Sequence, residues 1–354
     1  MLHETDLELE PNEASDLCPL PVPALLEERG WDRAFVTVLD EVHAEESVAV
    51  LGHEHGAEPG EGWHAERLAT EPDSGEGKTE DAESCAFFDG WVYLLGSQFG
   101  SKDGPLEAKR SWIARVRADE LAGSAPPRLE LARLRFALHR AVNDALARSG
   151  LELIARGPLT TERYIDATIA LGASEEKSWA GRVSAADHPL NIEGADFRAG
   201  GRLLLGLRYP CTAAGHPVLV ELEDPDALFE DDDEVPRCGR VWVLDDVGTE
   251  EAPCGIRALH AEGGDRFSAI AGDLDAAKKG ATILADHPEG GEAESVHVRF
   301  DLPMTAGGGA VSTTLRHAFG DLKRVEGVAL AADNHAHYIL DEEGHVGLRT
   351  LLLD

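Results

Sequence analysis

The chain has 354 residues and a formal net charge of −35, from 32 Lys and Arg against 67 Asp and Glu. So acidic a surface repels phosphate backbones and anionic headgroups, which sets aside nucleic acid and membranes as partners. No run of about eighteen apolar residues is available to span a bilayer, and five scattered cysteines without a CxxC pair argue against a disulfide framework or a cysteine zinc site.

The first residues, Met-Leu-His-Glu-Thr-Asp, lack the charged-then-apolar pattern of a secretory signal, so a reducing cytoplasm is the expected location. Residues 1–30, with Pro11, Pro19, Pro21 and Pro23 among acids, read as a largely irregular lead-in with one short helical turn at Ala24–Arg29. The single folded domain is then expected over 31–354. Ala34–Leu39 and Ser47–Leu51 are short apolar runs separated by polar breaks and read as paired strands. Residues 57–80 read as a loop anchored by Trp63. Asp89-Gly90 between two apolar runs is a strong hairpin signal, joining strands on either side. Arg110–Val116 supplies the next strand.

The β rhythm breaks near 129–150. Leu131, Leu134, Leu138, Val142 and Leu146 recur at helical spacing, and Ser149-Gly150 stop the pattern, which predicts one inserted helix. Short strands are expected again at Thr160–Gly172, Trp179–Val183, Glu193 onward, Arg202–Leu207 and Pro217–Leu222. Further strands are expected at Arg240–Leu244, Gly255–His260, Arg266–Ala271, Ala281–Asp286 and Val296–Leu302. Asp224–Glu234 reads as a solvated acidic loop and Met304–Thr314 as a glycine-rich one. The chain closes with strand, turn, strand, turn and strand over 324–353.

Three segments repeat one phrase. Ala82-Glu83-Ser84, Ile192-Glu193-Gly194 and Val325-Glu326-Gly327 each place a glutamate just inside the start of a strand that leads to a turn and an apolar strand. Many short strands in a recurring unit imply an all-β propeller, about six blades with five or seven as alternatives, since blades run to about 40–60 residues. In a propeller the innermost strands surround a channel, so Glu83, Glu193 and Glu326 are expected to converge on one axis. Converging carboxylates need a counter-charge. That is either a divalent cation with oxygen ligands, calcium first, or the arginines Arg110, Arg208 and Arg257. An alternative role for the glutamates is to accept backbone N–H groups of the neighbouring blade. The pairs His53/His55 and His335/His337 share strand faces at i, i+2 spacing but read chiefly as strand-end residues. No G-x-S-x-G, Walker A or H-E-x-x-H motif is present.

The stretch Ile192-Glu-Gly-Ala through Leu204-Leu-Gly206-Leu-Arg208-Tyr-Pro210 resembles the signature of an uncharacterised bacterial family, domain of unknown function 3616. Asp81-Ala-Glu83 with Leu95-Gly96-Ser97, Gly255-Ile-Arg257 with Ile270-Ala-Gly272, and Val325-Glu326-Gly327 are similar in the same order. Tyr209 stands where that block carries a glycine, and Gln98 where a histidine often follows Gly-Ser. The resemblance implies a propeller with a shared polar surface, and its pattern is similar to phytase-like and esterase-like propellers, which often bind calcium.

The expected function is therefore binding of a small polar ligand or divalent cation at the channel mouth. Catalysis, where present, would be a metal-assisted hydrolysis of a phosphoester or lactone. The rival expectation is a non-catalytic propeller that contacts a protein partner through its loop-covered face and helical insertion.

Overall fold

The computed structural model describes residues 2–9, 13–40, 42–73, 78–230, 235–275, 281–303, 307–342 and 345–353. These residues form a β-propeller of five sheets, each with four antiparallel strands, to which the second and third add a short fifth strand paired parallel at the outer edge. The innermost strands are Ala14–Pro19, Ala82–Phe88, Asn191–Phe197, Gly255–Gly263 and Val325–Leu330. Each lies against the innermost strands of the two neighbouring sheets, and the fifth meets the first, so the ring closes. Five sheets account for the strands where six were favoured. The long stretch between the second and third inner strands, which would hold a further blade, is largely helical.

Inner strands lie between neighbouring sheets, so burial does not alternate along them and takes in polar residues beside apolar ones. Every residue of Asn191–Phe197 is buried, and so is every residue of its partner Leu203–Tyr209. Turn chemistry follows the sequence. Asp89 and Gly90 both take positive φ, 46° and 78°, the geometry that matches a two-residue hairpin to strand twist.

Several stretches depart from the sequence expectation. Residues 1–30 are not an irregular lead-in. Leu2–Leu7 pairs antiparallel with the C-terminal strand His345–Leu352 as the outer strand of the fifth sheet, and Ala14–Pro19 opens the first. Their polar, proline-bearing composition hides strands whose partners lie far away in sequence. The predicted helix is shorter: Arg128–Arg133 is a strand paired with Trp112–Arg117, and the helix is Ala137–Ser149. Leu131 therefore belongs to a sheet, although it fell on the helical spacing. Thr160–Gly172 is helical, within a segment spanning 158–174, and Thr282–Asp286 is a short helix. Its β-branched residues favoured the strand reading locally, and burial of Tyr164, Ile165 and Thr168 on one side overrode it. Part of the glycine-rich stretch near 304–314 is the strand Gly309–Val311, paired parallel with Arg237–Leu244. The loop expected at 57–80 contains the strand Trp63–Leu68, paired antiparallel with Val48–Glu54. Trp179–Val183, expected as a strand, is turn and bend, its apolar side chains packing beside Phe136 and Tyr164 instead of pairing in a sheet. Parts of the stretches 57–80 and 224–234 lie outside the described residues. No helix among the described residues is long and apolar enough to cross a membrane.

Candidate axial site

One distortion recurs in every inner strand and builds the site. Pairing runs Ala82 to Gly96 and then Ser84 to Leu95, so Glu83 is an extra residue on its strand. The same slip leaves Glu193 between Ile192 and Gly194, Arg257 between Ile256 and Ala258, and Glu326 between Val325 and Gly327. In the first sheet the slip falls between Ser15 and Cys18. A β-bulge takes one residue out of the ladder and re-aims its side chain. Here it gathers Glu83, Glu193, Arg257 and Glu326 around one axial cavity of about 300 Å³, which Arg110 and Arg208 also line. Glycine follows the bulge in two strands for a packing reason. A Cβ on Gly194 would lie 2.9 Å from Ile256 Cγ2, and one on Gly327 would lie 2.8 Å from the Asp16 backbone.

The cavity wall has two halves of different electrostatic character. On one side Arg208 donates from Nη1 to Glu193 Oε1 (2.7 Å) and from Nη2 to Asp273 Oδ1 (2.9 Å). Arg257 donates from Nη1 to Asp273 Oδ1 (2.7 Å) and from Nε to Glu326 Oε2 (3.0 Å), pairs again with Glu326 through Nη2, and lies 3.5 Å from Glu193 Oε2. Two guanidinium groups thus join three carboxylates in a closed, buried network. Burial pulls the Arg208 guanidinium toward its neutral form, but Glu193 and Asp273 overcome this and hold it charged. Glu193 is still raised above the usual carboxylate range, because burial outweighs its two arginines.

On the other side Arg110 pairs with Asp81 (2.7 Å) and Glu107 (3.0 Å), and Asp81 also accepts from Ser97 Oγ. Glu83 has no ion pair or hydrogen bond among the described residues. It is raised well above the usual range by burial and then by Asp40, Glu193, Asp81 and Glu326. Oxygen atoms of Asp40, Asp81 and Glu83 lie within 4.8 Å of one another. Asn191 donates from Nδ2 to Glu193 Oε1 (2.9 Å), while its Oδ1 is buried without a hydrogen-bond partner.

The helical insert fixes the cavity rim. Tyr164 Oη donates to the carbonyl of Lys102 (2.9 Å), Thr168 Oγ1 accepts from Leu106 N (2.9 Å), and Tyr164 stacks near Phe99 with ring centroids 4.7 Å apart. Phe99, Ser101 and Lys102 all face the cavity.

The structure therefore brings Glu83, Glu193, Glu326, Arg110, Arg208 and Arg257 to one cavity but divides their roles. Glu193 and Glu326 are taken up by arginines, and Glu83 instead joins Asp40 and Asp81. The repeat search missed Asp40, Asp273 and Asp341. Each lies where an apolar second strand gives out, after Leu39, Gly272 and Leu340, beside the start of an inner strand. An acid closing the second strand's apolar run in three of the five sheets was the available signal. Arg257, named from the sequence as a counter-charge, occupies the bulge position of its own strand where three other sheets carry a glutamate.

Among the described residues no backbone N–H donates to Glu83, Glu193 or Glu326; two aspartates tie sheet to sheet instead. Asp16 accepts from Cys85 N (3.1 Å), and Asp196 accepts from Ala261 N (2.6 Å). The histidine pairs are engaged elsewhere. His53 bonds Asp32 and the Glu58 carbonyl, and His337 bonds Thr350.

No known family profile matches the chain, and no curated protein matches it. Among solved structures it is similar to the YCF48 protein bound to a D1 peptide, at 8% identity and TM-score 0.33, over 91% of this chain and 61% of that one. It is also similar to the GH43 endo-arabinanase of Bacillus licheniformis, at 10% identity and TM-score 0.43, over 98% and 95%. A protein of unknown function from Dyadobacter fermentans follows at 11% identity and TM-score 0.38, over 99% and 82%. The chain thus spans just over three fifths of the YCF48 chain and nearly all of the arabinanase.

Proposed function

We propose that this chain is a binding propeller whose axial cavity holds a small polar ligand of net positive charge, a divalent cation included. One observation carries this reading. The residues lining the cavity include eight carboxylates against four Lys or Arg, and two of those arginines are already held in the buried network. Packed carboxylates at close range are relieved by a cation or by taking up protons. A volume near 300 Å³, at the small end of ligand pockets, admits a hydrated ion or a small organic cation.

A hydrolytic role on a phosphoester or lactone is compatible with the same residues. A bound divalent ion would supply Lewis acidity. Glu83, open to the cavity and poised to carry a proton, would serve as base, and Arg110 would orient an anionic oxygen. The rival reading, a protein-contact module, uses the loop-covered face with the helix and the long acidic loops as its contact surface. The helix instead buries Leu138, Val142 and Leu146 in the core, and the second helical segment pins the cavity rim.

Thermal melting tests the reading, with Ca²⁺, Mg²⁺, ethylenediamine and guanidinium as cationic probes and sulfate as the anionic one. At least one cation is expected to raise the melting temperature saturably by several degrees, and sulfate to leave it unchanged. Glu83→Lys places a tethered ammonium in the cavity and is expected to raise the melting temperature and abolish the cation response. A parent protein indifferent to all four cations refutes the reading.

A further inference from the structure

We infer that the opposite end of the propeller channel carries a second site, which takes a neutral molecule with an aromatic ring and a hydroxyl group, a phenol, held by the imidazole of His260. The site is separate from the axial cavity and stands or falls without the cation reading.

The same inner strands build both sites. Their bulges gather Glu83, Glu193, Arg257 and Glu326 near the strand starts, and residues further along the strands meet at the other end. Pro19 from the first strand, Phe87 and Phe88 from the second, Asp196 and Phe197 from the third, and His260 from the fourth line one cavity of about 270 Å³.

His260 is the polar group in that wall without a partner. It is 4% exposed, yet neither ring nitrogen has a hydrogen-bond partner among the described residues. Its Nδ1 is buried 3.8 Å from Asp196 Oδ2, beyond hydrogen-bond distance. Asp196 is held back by its own bonds, since its oxygens accept from Phe197 N (2.7 Å) and Ala261 N (2.6 Å). A buried polar side chain left unpaired is costly and calls for a partner. With Nδ1 set against the carboxylate, Nε2 is the nitrogen left for a guest. A hydroxyl donates or accepts, so it suits either tautomer of the ring.

The remaining wall selects a neutral ring. Burial holds the His260 imidazole uncharged, down to about 4. Arg198 also lines the cavity but is spent on Glu221 and Asp265, so an anion finds no open cation there. Phe88 and Phe197 stack with centroids 4.7 Å apart and planes within 19°, and Pro21 adds a further apolar face. Apolar walls with one convergent polar group make a small-molecule pocket, and aromatic rings pack on such faces. His260 also lines a neighbouring cavity. That one has no other aromatic side chain among its described residues and carries the paired Glu262 and Arg299.

Isothermal titration of the full chain with phenol, toluene and benzoate near neutral pH tests the site. One phenol per chain is expected, bound in the millimolar range or tighter, with toluene and benzoate each weaker. His260→Leu keeps an apolar side chain and removes the imidazole. It is expected to weaken phenol by about tenfold, the worth of one good neutral hydrogen bond, and to leave toluene no weaker. Phe88→Ala is expected to weaken phenol and toluene alike. In histidine-selective nitrogen NMR of the parent, phenol is expected to shift one imidazole above all, the one whose signal is missing from His260→Gln. That readout decides the matter even where His260→Leu perturbs folding, which circular dichroism would reveal. No saturable phenol binding through tens of millimolar, or phenol bound no more tightly than toluene, overturns the site and leaves a cavity for water alone. So does phenol binding that His260→Leu leaves unchanged, or that does not move the His260 signal.

Discussion

Arg257 ties three carboxylates together at the axis of the ring. Its guanidinium contacts Asp273 and Glu326 and approaches Glu193, all in a dry environment. Removing one member of such a network strands its partners, whereas removing both members of a pair does not. Arg257→Met is therefore expected to cost about 3–5 kcal/mol in urea unfolding, and the double change with Glu326→Gln to cost distinctly less than the two singles summed. A loss under about 1 kcal/mol would place the pair with ordinary surface ion pairs and contradict its structural weight. The histidines make a second residue-scale point. Burial holds His297 near 3 and His260 near 4, so both are neutral in the fold. A histidine whose folded value is depressed stabilises fully above its unfolded value near 6.5 and loses that stabilisation as pH falls toward the folded value. Asp196, raised to about 7 by burial, works in the opposite sense: its contribution is complete below about 4 and is lost as pH rises to 7. The two kinds of group offset one another between pH 4 and 6.5, so the parent's stability curve is a poor reporter. The His297→Gln deficit relative to the parent isolates one group. It should shrink by about 1.4 kcal/mol for each pH unit below 6.5, and a deficit constant with pH would refute a neutral native His297.

At the scale of the strand, the bulge is the working device. A regular inner strand would turn the side chain after Ala82 or Ile192 into a neighbouring sheet, where a carboxylate could not stay without a partner. The extra residue takes it out of the ladder and into the channel. The strands can carry this distortion because small residues let the neighbouring sheet close in. A Cβ on Gly206 would lie 2.4 Å from Ile256 Cγ2, across the contact between the third and fourth sheets. Gly206→Ala is expected to cost about 1–3 kcal/mol through overpacking. With Ile256→Ala the combined cost should fall below the sum of the singles, measured by denaturant unfolding. Additive costs would mean that the two positions do not bear on each other.

The whole molecule is a ring closed in two ways. The inner strands meet around the axis, and the outer strand of the fifth sheet comes from residues near the other end of the chain. That closure converts a repeated local unit into a shared site, because the same position in every sheet faces the same space. It also sets the charge balance there. Sheets three, four and five contribute the arginine-bridged half, and sheets one and two the acidic half. Net charge over the whole surface and charge in the cavity are separate matters: the first follows from composition, the second from which arms meet.

Strand positions, the Asp89-Gly90 hairpin and the recurring acid were legible from the sequence, because turn residues and apolar runs act over a few residues. The helix at Ala137–Ser149 was legible in its middle but not at its start, since Leu131 satisfied both a helical spacing and a strand. The number of sheets, the use of residues 1–30 as strands and the helical state of 158–174 depended on partners distant in the chain. So did the division of the carboxylates. Whether Glu326 faces an arginine or an open cavity is decided by a bulge, and a bulge exists only relative to the neighbouring strand whose register it breaks.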